Sequence, residues 1–112
     1  MVNKKPFWIF LVASKPEDGG GHMMRSISLA RAMLKCIDVH FVLDQKGEYW
    51  LSRLENKGFT VELFNKGDDF KLTLRKDCEC LGVLVDDYTV TQNNLLEWKQ
   101  RYGQLAVIDD FG

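Results

Sequence analysis

The sequence lacks the long apolar segments and the charge excess that mark membrane proteins and nucleic-acid-binding proteins. Its longest apolar run covers residues 7–13, far short of the ~20 apolar residues that span a bilayer. The charged Lys15-Pro16-Glu17-Asp18 follows this run in place of a small-residue cleavage site, which excludes a signal peptide. With 15 basic and 16 acidic residues, the net charge of −1 provides no basic face. We therefore expect neither a membrane span nor a nucleic-acid partner.

Cysteine is also scarce. The three cysteines, Cys36, Cys78 and Cys80, are an odd number and cannot all form disulfides within the chain. The Cys78-Glu79-Cys80 spacing is too tight for a zinc knuckle, and no histidine pair accompanies it. This pattern predicts reduced thiols in a cytoplasmic protein.

The residues that are present suffice for one folded domain. A chain of 112 residues is long enough for one domain and too short for two. Its 46% of hydrophobic and 28% of charged residues are typical of a soluble globular protein and exclude a disordered chain.

Apolar runs alternate with amphipathic segments along the chain. The runs predict five strands, at residues 7–13, 39–43, 60–64, 82–85 and 105–108. The amphipathic segments predict helices at residues 22–35, 48–57 and 91–102, whereas residues 66–76 read as a loop or a short helix. This alternation predicts an α/β fold, a Rossmann-like open parallel five-stranded sheet with helices on both faces. Ligands of such sheets bind beyond the carboxyl ends of the strands, here between the first and the fourth strand.

A glycine-rich turn between the first strand and the first helix is the most informative segment. Gly19, Gly20 and Gly21 let a ligand approach the backbone, and the free N–H groups of the helix start favour a phosphate. We expect His22 to remain neutral near pH 7 because the positive end of the helix dipole disfavours imidazolium, so that it can accept a proton as a catalytic base. Arg25 lies on the same helix face and is expected to bind a phosphate or sugar oxygen.

Carboxylates follow the fourth and fifth predicted strands, as Asp86-Asp87 and Asp109-Asp110. They could bind sugar hydroxyls, orient His22 or hold Mg²⁺. The alternative without a ligand is that they cap the following helices or face water. Elsewhere, we expect Trp8, Trp50 and Trp98 to pack in the core. His40, inside the second strand, is expected to be a hydrogen-bonded structural histidine.

Three motifs together resemble the N-terminal domain of the PseG/SpsG-type UDP-sugar hydrolases, which are related in fold to the MurG-type glycosyltransferases. The motifs are Gly19-Gly20-Gly21-His22-Met23-Met24-Arg25, Leu84-Val85-Asp86-Asp87-Tyr88 and Val107-Ile108-Asp109-Asp110. They occur in the family's order and spacing and extend over most of the chain.

The resemblance implies a two-domain protein of the GT-B type with its active site in the cleft between the domains. Such a protein hydrolyses a UDP-linked diacetamido-trideoxy sugar in the biosynthesis of pseudaminic acid or surface polysaccharides, without a metal or another cofactor. It implies that His22 is the catalytic residue. The residues that we predict to bind the substrate are Gly19, Gly20, Gly21, Arg25, Asp86, Tyr88, Asp109 and Asp110.

One departure from the family is large. We expect the 112 residues to form a single Rossmann-like domain without the family's C-terminal nucleotide-binding domain, as either a fragment of a longer protein or a lone domain that lacks the activity. We therefore expect the isolated chain to be inactive, and we expect a homodimer through the exposed cleft or an edge strand. Two alternatives remain, namely the acceptor-binding domain of a GT-B glycosyltransferase and a non-catalytic flavodoxin-like interaction domain. A receiver-like module is disfavoured because Ala13-Ser14-Lys15, not acids, follow the first strand.

Overall fold

The computed structural model of the chain describes residues 5–14, 21–34, 36–65, 69–87 and 90–108. These residues form an α/β domain around one five-stranded sheet. The strands are β1 (Phe7–Val12), β2 (Asp38–Asp44), β3 (Thr60–Phe64), β4 (Cys80–Asp86) and β5 (Leu105–Val107). The helices are α1 (Gly21–Met33), α2 (Glu48–Asn56) and α3 (Gln92–Tyr102), with short 3₁₀ helices at Gln45–Gly47 and Thr73–Arg75.

The strand order is β3-β2-β1-β4-β5, and every neighbouring pair is parallel. This arrangement confirms the predicted Rossmann-like open sheet. The order also confirms that β1 lies beside β4. The strand order reverses between these two strands, since β2 and β3 lie on one side of β1 and β4 and β5 on the other. The ligand crevice of such a fold opens beyond the carboxyl ends of these two strands.

Alternate side chains of the strands supply two apolar cores, one on each face of the sheet. On one face, Phe10 and Phe41 pack with Met23 and Ile27 of α1 and with Leu54 of α2. The opposite face carries a second cluster, formed by α3, the strands and the segment between β3 and β4 and composed of Phe7, Ile9, Leu11, Val42, Phe70, Val83, Val85 and Trp98. Helices therefore cover both faces, which explains why β1 is apolar along its whole length.

The predicted helices and strands differ from the observed ones mainly at their ends. Residues 60–64 were predicted with the bounds of β3, whereas β4 begins at Cys80 rather than at Gly82 and β2 is one residue longer at each end. Gly58, which follows the end of α2, adopts a φ of +93°, a left-handed conformation that favours glycine. In the segment predicted as a loop or short helix, the described residues contain the 3₁₀ turn at Thr73–Arg75.

Glycine at position 82 is required by close packing within the sheet. A Cβ atom there would lie 2.8 Å from the indole of Trp8 and 2.8 Å from the carbonyl oxygen of Gln104. Trp8 and Trp50 pack partly buried against the core, and Trp98 is buried, which confirms the structural interpretation of all three. None of the helices in the described ranges has the length and apolar character needed to cross a membrane.

Candidate functional site

The candidate site lies at the carboxyl edge of the sheet, where β1 is followed by α1 and β4 ends beside it. Met23 and Ile27 of α1 pack over one face, while Trp98 of α3 packs on the other. The backbone N–H of Ala13 donates to the carbonyl oxygen of Asp86 at 2.9 Å, so the two strands remain paired up to this edge. Helices α1 and α3 pack on opposite faces of the sheet here, and ligands of open parallel sheets bind at such a point.

Helix α1 begins at the predicted motif. Gly21 is its first residue and His22 its second. The N–H groups of the first turn have no partner within the helix, and the helix dipole adds a partial positive charge there. Gly21 is exposed, and a Cβ atom built on it would meet no described atom within 4 Å. The start of α1 is therefore exposed with respect to the described residues.

A buried aspartate ties α1 to the end of β4. Oδ1 of Asp86 accepts a hydrogen bond from Nη2 of Arg25 at 2.8 Å, and its Oδ2 accepts from Nε of the same guanidinium at 3.2 Å. The hydroxyl of Ser26 also donates to Oδ2, at 3.2 Å. The Asp86 side chain is 1% exposed and that of Arg25 is 34% exposed. The two-pronged geometry is the one that guanidinium and carboxylate groups prefer, and it fixes the guanidinium in position at the edge.

The sequence predicted both members of this pair as site residues but did not predict their contact. The structure brings Arg25 and Asp86 together, and the carboxylate of Asp86 supports the guanidinium. A role for either in substrate binding stays a prediction. Ser26 was not predicted, although it falls among the buried positions of α1, between Met23 and Ile27. A serine on an apolar helix face needs a hydrogen-bond partner, and this signal could have identified it.

A second polar contact joins the ends of β1 and β2. Ser14 is 2% exposed, and its hydroxyl accepts a hydrogen bond from the backbone N–H of Asp44 at 3.2 Å. Gly47 lies so close that a Cβ atom there would be 2.5 Å from the Ser14 oxygen. The Asp44 carboxylate in turn accepts from the backbone N–H of Lys46 at 2.9 Å and caps the 3₁₀ turn. These contacts tie the end of β1 to the end of β2, on the side of β1 that faces away from β4.

Several predicted site residues lie outside the described part of the chain. They are Gly19, Gly20, Tyr88, Asp109 and Asp110, together with the side chain of His22. Asp87 directly follows the end of β4 and is half-buried. Among the described residues, no group of three or more His, Cys, Asp or Glu side chains is arranged to hold a metal ion.

A separate polar network surrounds His40, away from this edge and in the middle of β2. Nδ1 of His40 lies 2.7 Å from Oγ1 of Thr60, and its Nε2 lies 2.8 Å from Oε1 of Glu62. Nε of Arg75 donates to the Thr60 oxygen at 3.1 Å. The His40 ring is 1% exposed and both of its nitrogens have partners. The predicted structural interpretation of His40 is therefore confirmed.

Glu62 is the anionic member of the network. Its carboxylate accepts hydrogen bonds from the backbone N–H groups of Lys71 and Leu72, at 2.8 and 2.9 Å. Burial by itself raises the pKa of Glu62, but the contacts with His40 and the two N–H groups outweigh it and bring the pKa below its ordinary value. The ionised carboxylate thereby holds the segment after β3 against the sheet. This role is structural, so His40 and Glu62 do not belong to the candidate site.

No protein-family model, curated protein or solved structure matches the chain. The function of the carboxyl edge is therefore inferred from the chain's own residues.

Proposed function

We propose that the chain is the N-terminal domain of a UDP-sugar hydrolase that releases UDP from a diacetamido-trideoxy sugar nucleotide. The observation that carries the proposal is the position of α1. The helix begins with Gly21 and His22, and the contacts of Arg25 and Ser26 with Asp86 tie its first turns to the carboxyl end of β4. Two of the three motifs that resemble the PseG/SpsG-type hydrolases thereby meet at one edge of the sheet.

The proposed reaction needs few groups. UDP is a good leaving group, so cleavage of its bond to the sugar needs little help from an acid. The remaining requirement is a base that activates and aims a water molecule from a distance of ~2.6–3.2 Å. His22 is that base in our proposal. Attack by water opposite the leaving group inverts the configuration of the anomeric carbon.

The residues around the base hold the substrate in this proposal. The N–H groups at the start of α1 and the guanidinium of Arg25 bind phosphate or sugar oxygens. Because Asp86 fixes the guanidinium through two hydrogen bonds, Arg25 loses little side-chain freedom when it binds an anion. Gly19, Gly20, Tyr88, Asp109 and Asp110 are assigned to the same pocket by the resemblance.

The test is the substitution of His22 in the protein that carries both halves of the cleft. We expect His22→Ala to abolish UDP release without changing the circular dichroism spectrum or the melting temperature. Ser28→Ala is the matched control, because Ser28 is an exposed residue of the same helix and its hydroxyl donates to the carbonyl oxygen of Met24 in that helix. Normal turnover by His22→Ala would refute the assignment.

The same assay separates the proposed reaction from its alternatives. UDP released in the absence of any acceptor indicates a hydrolase, whereas release that requires a sugar acceptor indicates a glycosyltransferase. No release under either condition favours a non-catalytic interaction domain. For the isolated 112 residues, we expect weak UDP binding, because the resemblance assigns the nucleotide to the family's C-terminal domain. Micromolar affinity for UDP in calorimetry would contradict that assignment.

A further inference from the structure

A cavity lies at the opposite, amino edge of the sheet, on the face covered by α3. Its volume is about 360 Å³, within the range of small-molecule sites. The first residues of two strands, Phe7 and Cys80, contribute to its wall, and the segment between β3 and β4 contributes the rest. Because β1 and β4 have their carboxyl ends at the candidate site, this cavity is separate from it.

The described residues that line the cavity carry positive charge. Three of them are basic, Lys71, Arg75 and Lys76, and none is acidic. Arg75 is held by Asp38 through an ion pair of 2.8 Å. Lys71 and Lys76 are exposed and form no ion pair with the described residues. The cavity therefore favours an anion, since a cleft with charge of one sign raises the local concentration of its counter-ion.

Two thiols share this cavity. Cys78 and Cys80 both line it, both are half-buried, and both pack against the apolar cluster that contains Phe7. The Sγ atom of Cys80 contacts the carbonyl oxygen of Gly82 at 3.7 Å, and burial raises the pKa of this thiol. Burial thus disfavours the reactive thiolate of Cys80. Because Cys80 belongs to β4 and its Sγ has a backbone partner, we take Cys78, which precedes the strand, as the nucleophile of the cavity.

The wall of the cavity is held in place before any ligand arrives. Backbone N–H groups of Lys71 and Leu72 donate to the Glu62 carboxylate, and Leu72 adopts a left-handed φ of 52°. A non-glycine residue in this conformation is maintained only when its surroundings fix it. The two hydrogen bonds to Glu62 provide that restraint and position Lys71 at the rim.

We propose that this cavity is a thiol-modification site that receives small organic disulfides bearing negative charge and joins them to Cys78. The Cys78 thiolate attacks one sulfur of the disulfide, a new S–S bond forms, and the original S–S bond breaks. The displaced thiolate leaves with the electron pair and takes a proton from solvent. The incoming disulfide is the oxidant, so no other redox partner is required. Lys71 and Lys76 attract the anionic reagent and offset the negative charge of the transition state.

The experiment compares two thiols with two reagents of opposite charge. Cys36 is exposed and does not line the cavity, so it serves as the internal control. One double variant, Cys36→Ser with Cys80→Ser, reports Cys78, and another, Cys78→Ser with Cys80→Ser, reports Cys36. The probes are dithiobis-nitrobenzoate, a dianion, and cystamine, a dication. Mixed disulfides are identified by mass and their formation rates are measured by stopped flow.

With the dianion we expect Cys78 to react ~10-fold faster than the more exposed Cys36, because the cavity attracts anions. With cystamine the order reverses. Lys71→Gln with Lys76→Gln removes the anion preference of Cys78 and leaves Cys36 unchanged, and added salt acts in the same direction. A slower reaction of Cys78 than of Cys36 with the dianion, or a ratio unaffected by the lysine substitutions, would overturn the proposal. Circular dichroism of each variant verifies the fold.

Discussion

At the scale of single residues, the most consequential contact is the one between Arg25 and Asp86. A carboxylate with 1% exposure has lost its hydration, and three donors from α1 replace the water. Such a buried pair stabilises the fold only as long as both members are present, since removal of one leaves an unpaired group in a poorly hydrated place. The contact therefore serves the stability of the domain as well as the geometry of the candidate site.

Asp86→Asn tests how much the Arg25–Asp86 contact contributes to the stability of the domain. An asparagine offers one carbonyl oxygen to the three donors and turns its own N–H₂ group toward at least one of them. We expect the free energy of unfolding to fall by ~1–3 kcal/mol, measured by urea denaturation.

The matched control for this variant is Asp69→Asn. Asp69 also pairs with an arginine, Arg101, at 2.7 Å, but its side chain is 73% exposed. Exposed ion pairs contribute little, so a change within ~0.5 kcal/mol is expected for the control. Equal losses in the two variants would show that the burial of Asp86 has no energetic consequence.

At the scale of helices and strands, local signals determine where several of them begin and end. Helix α3 begins with a reciprocal capping arrangement, in which the hydroxyl of Thr91 accepts from the backbone N–H of Asn94 at 3.2 Å. The side-chain oxygen of Asn94 accepts from the backbone N–H of Thr91 at 3.4 Å. Two otherwise unpaired donors of the first turn are thereby satisfied.

Thr91→Ala removes the hydroxyl from this cap. We expect a loss of ~1 kcal/mol in the free energy of unfolding and faster amide hydrogen exchange confined to the first turn of α3. Thr91→Ser keeps the hydroxyl and serves as the control, with stability close to that of the native chain. If alanine and serine have the same effect, the cap does not contribute.

Local sequence therefore predicted most of these elements, and residues 60–64 show why. This short run combines β-branched and apolar residues, lies between Gly58 and polar residues, and predicts a strand, and β3 has the predicted bounds. The Arg25–Asp86 contact was beyond such prediction, because 61 positions separate its members along the chain. The contact forms because the Asp86 side chain lies on the face of the sheet that α1 covers. For His40, the sequence predicted a hydrogen-bonded structural histidine but not its partners. Those partners come from β3, which is held in turn by the segment after it.

At the scale of the whole molecule, the two edges of the sheet carry different chemistry. The carboxyl edge has the helix start and the Arg25–Asp86 pair, whereas the amino edge has the cationic cavity with Cys78. Glu62 links the sheet to one wall of that cavity. Protonation of this single carboxylate therefore has consequences for stability and for the shape of the amino edge.

The pH dependence of stability follows from the lowered pKa of Glu62. A group whose pKa is lower in the folded state contributes stability above its ordinary pKa, and this contribution is lost as the pH falls through the folded-state value. We expect the free energy of unfolding to decrease in that acidic interval, measured by urea denaturation at several pH values. Glu62→Gln is less stable near neutral pH and shows a shallower acid decline.

Glu55→Gln is the control, since Glu55 is an exposed residue of α2. Its acid profile is expected to follow that of the native chain. An unchanged acid decline in Glu62→Gln would mean that other carboxylates are responsible for it.

The strand order has one more consequence, for the chain as it leaves the ribosome. Strands β3, β2 and β1 form one side of the sheet from consecutive sequence, and β4 and β5 add to the free edge of β1 later. Until β4 emerges, β1 is an apolar strand with an unpaired edge in a nascent chain, the kind of edge that pairs with foreign strands. Emergence of residues 80–86 from the ribosome is therefore the step that covers this edge of β1.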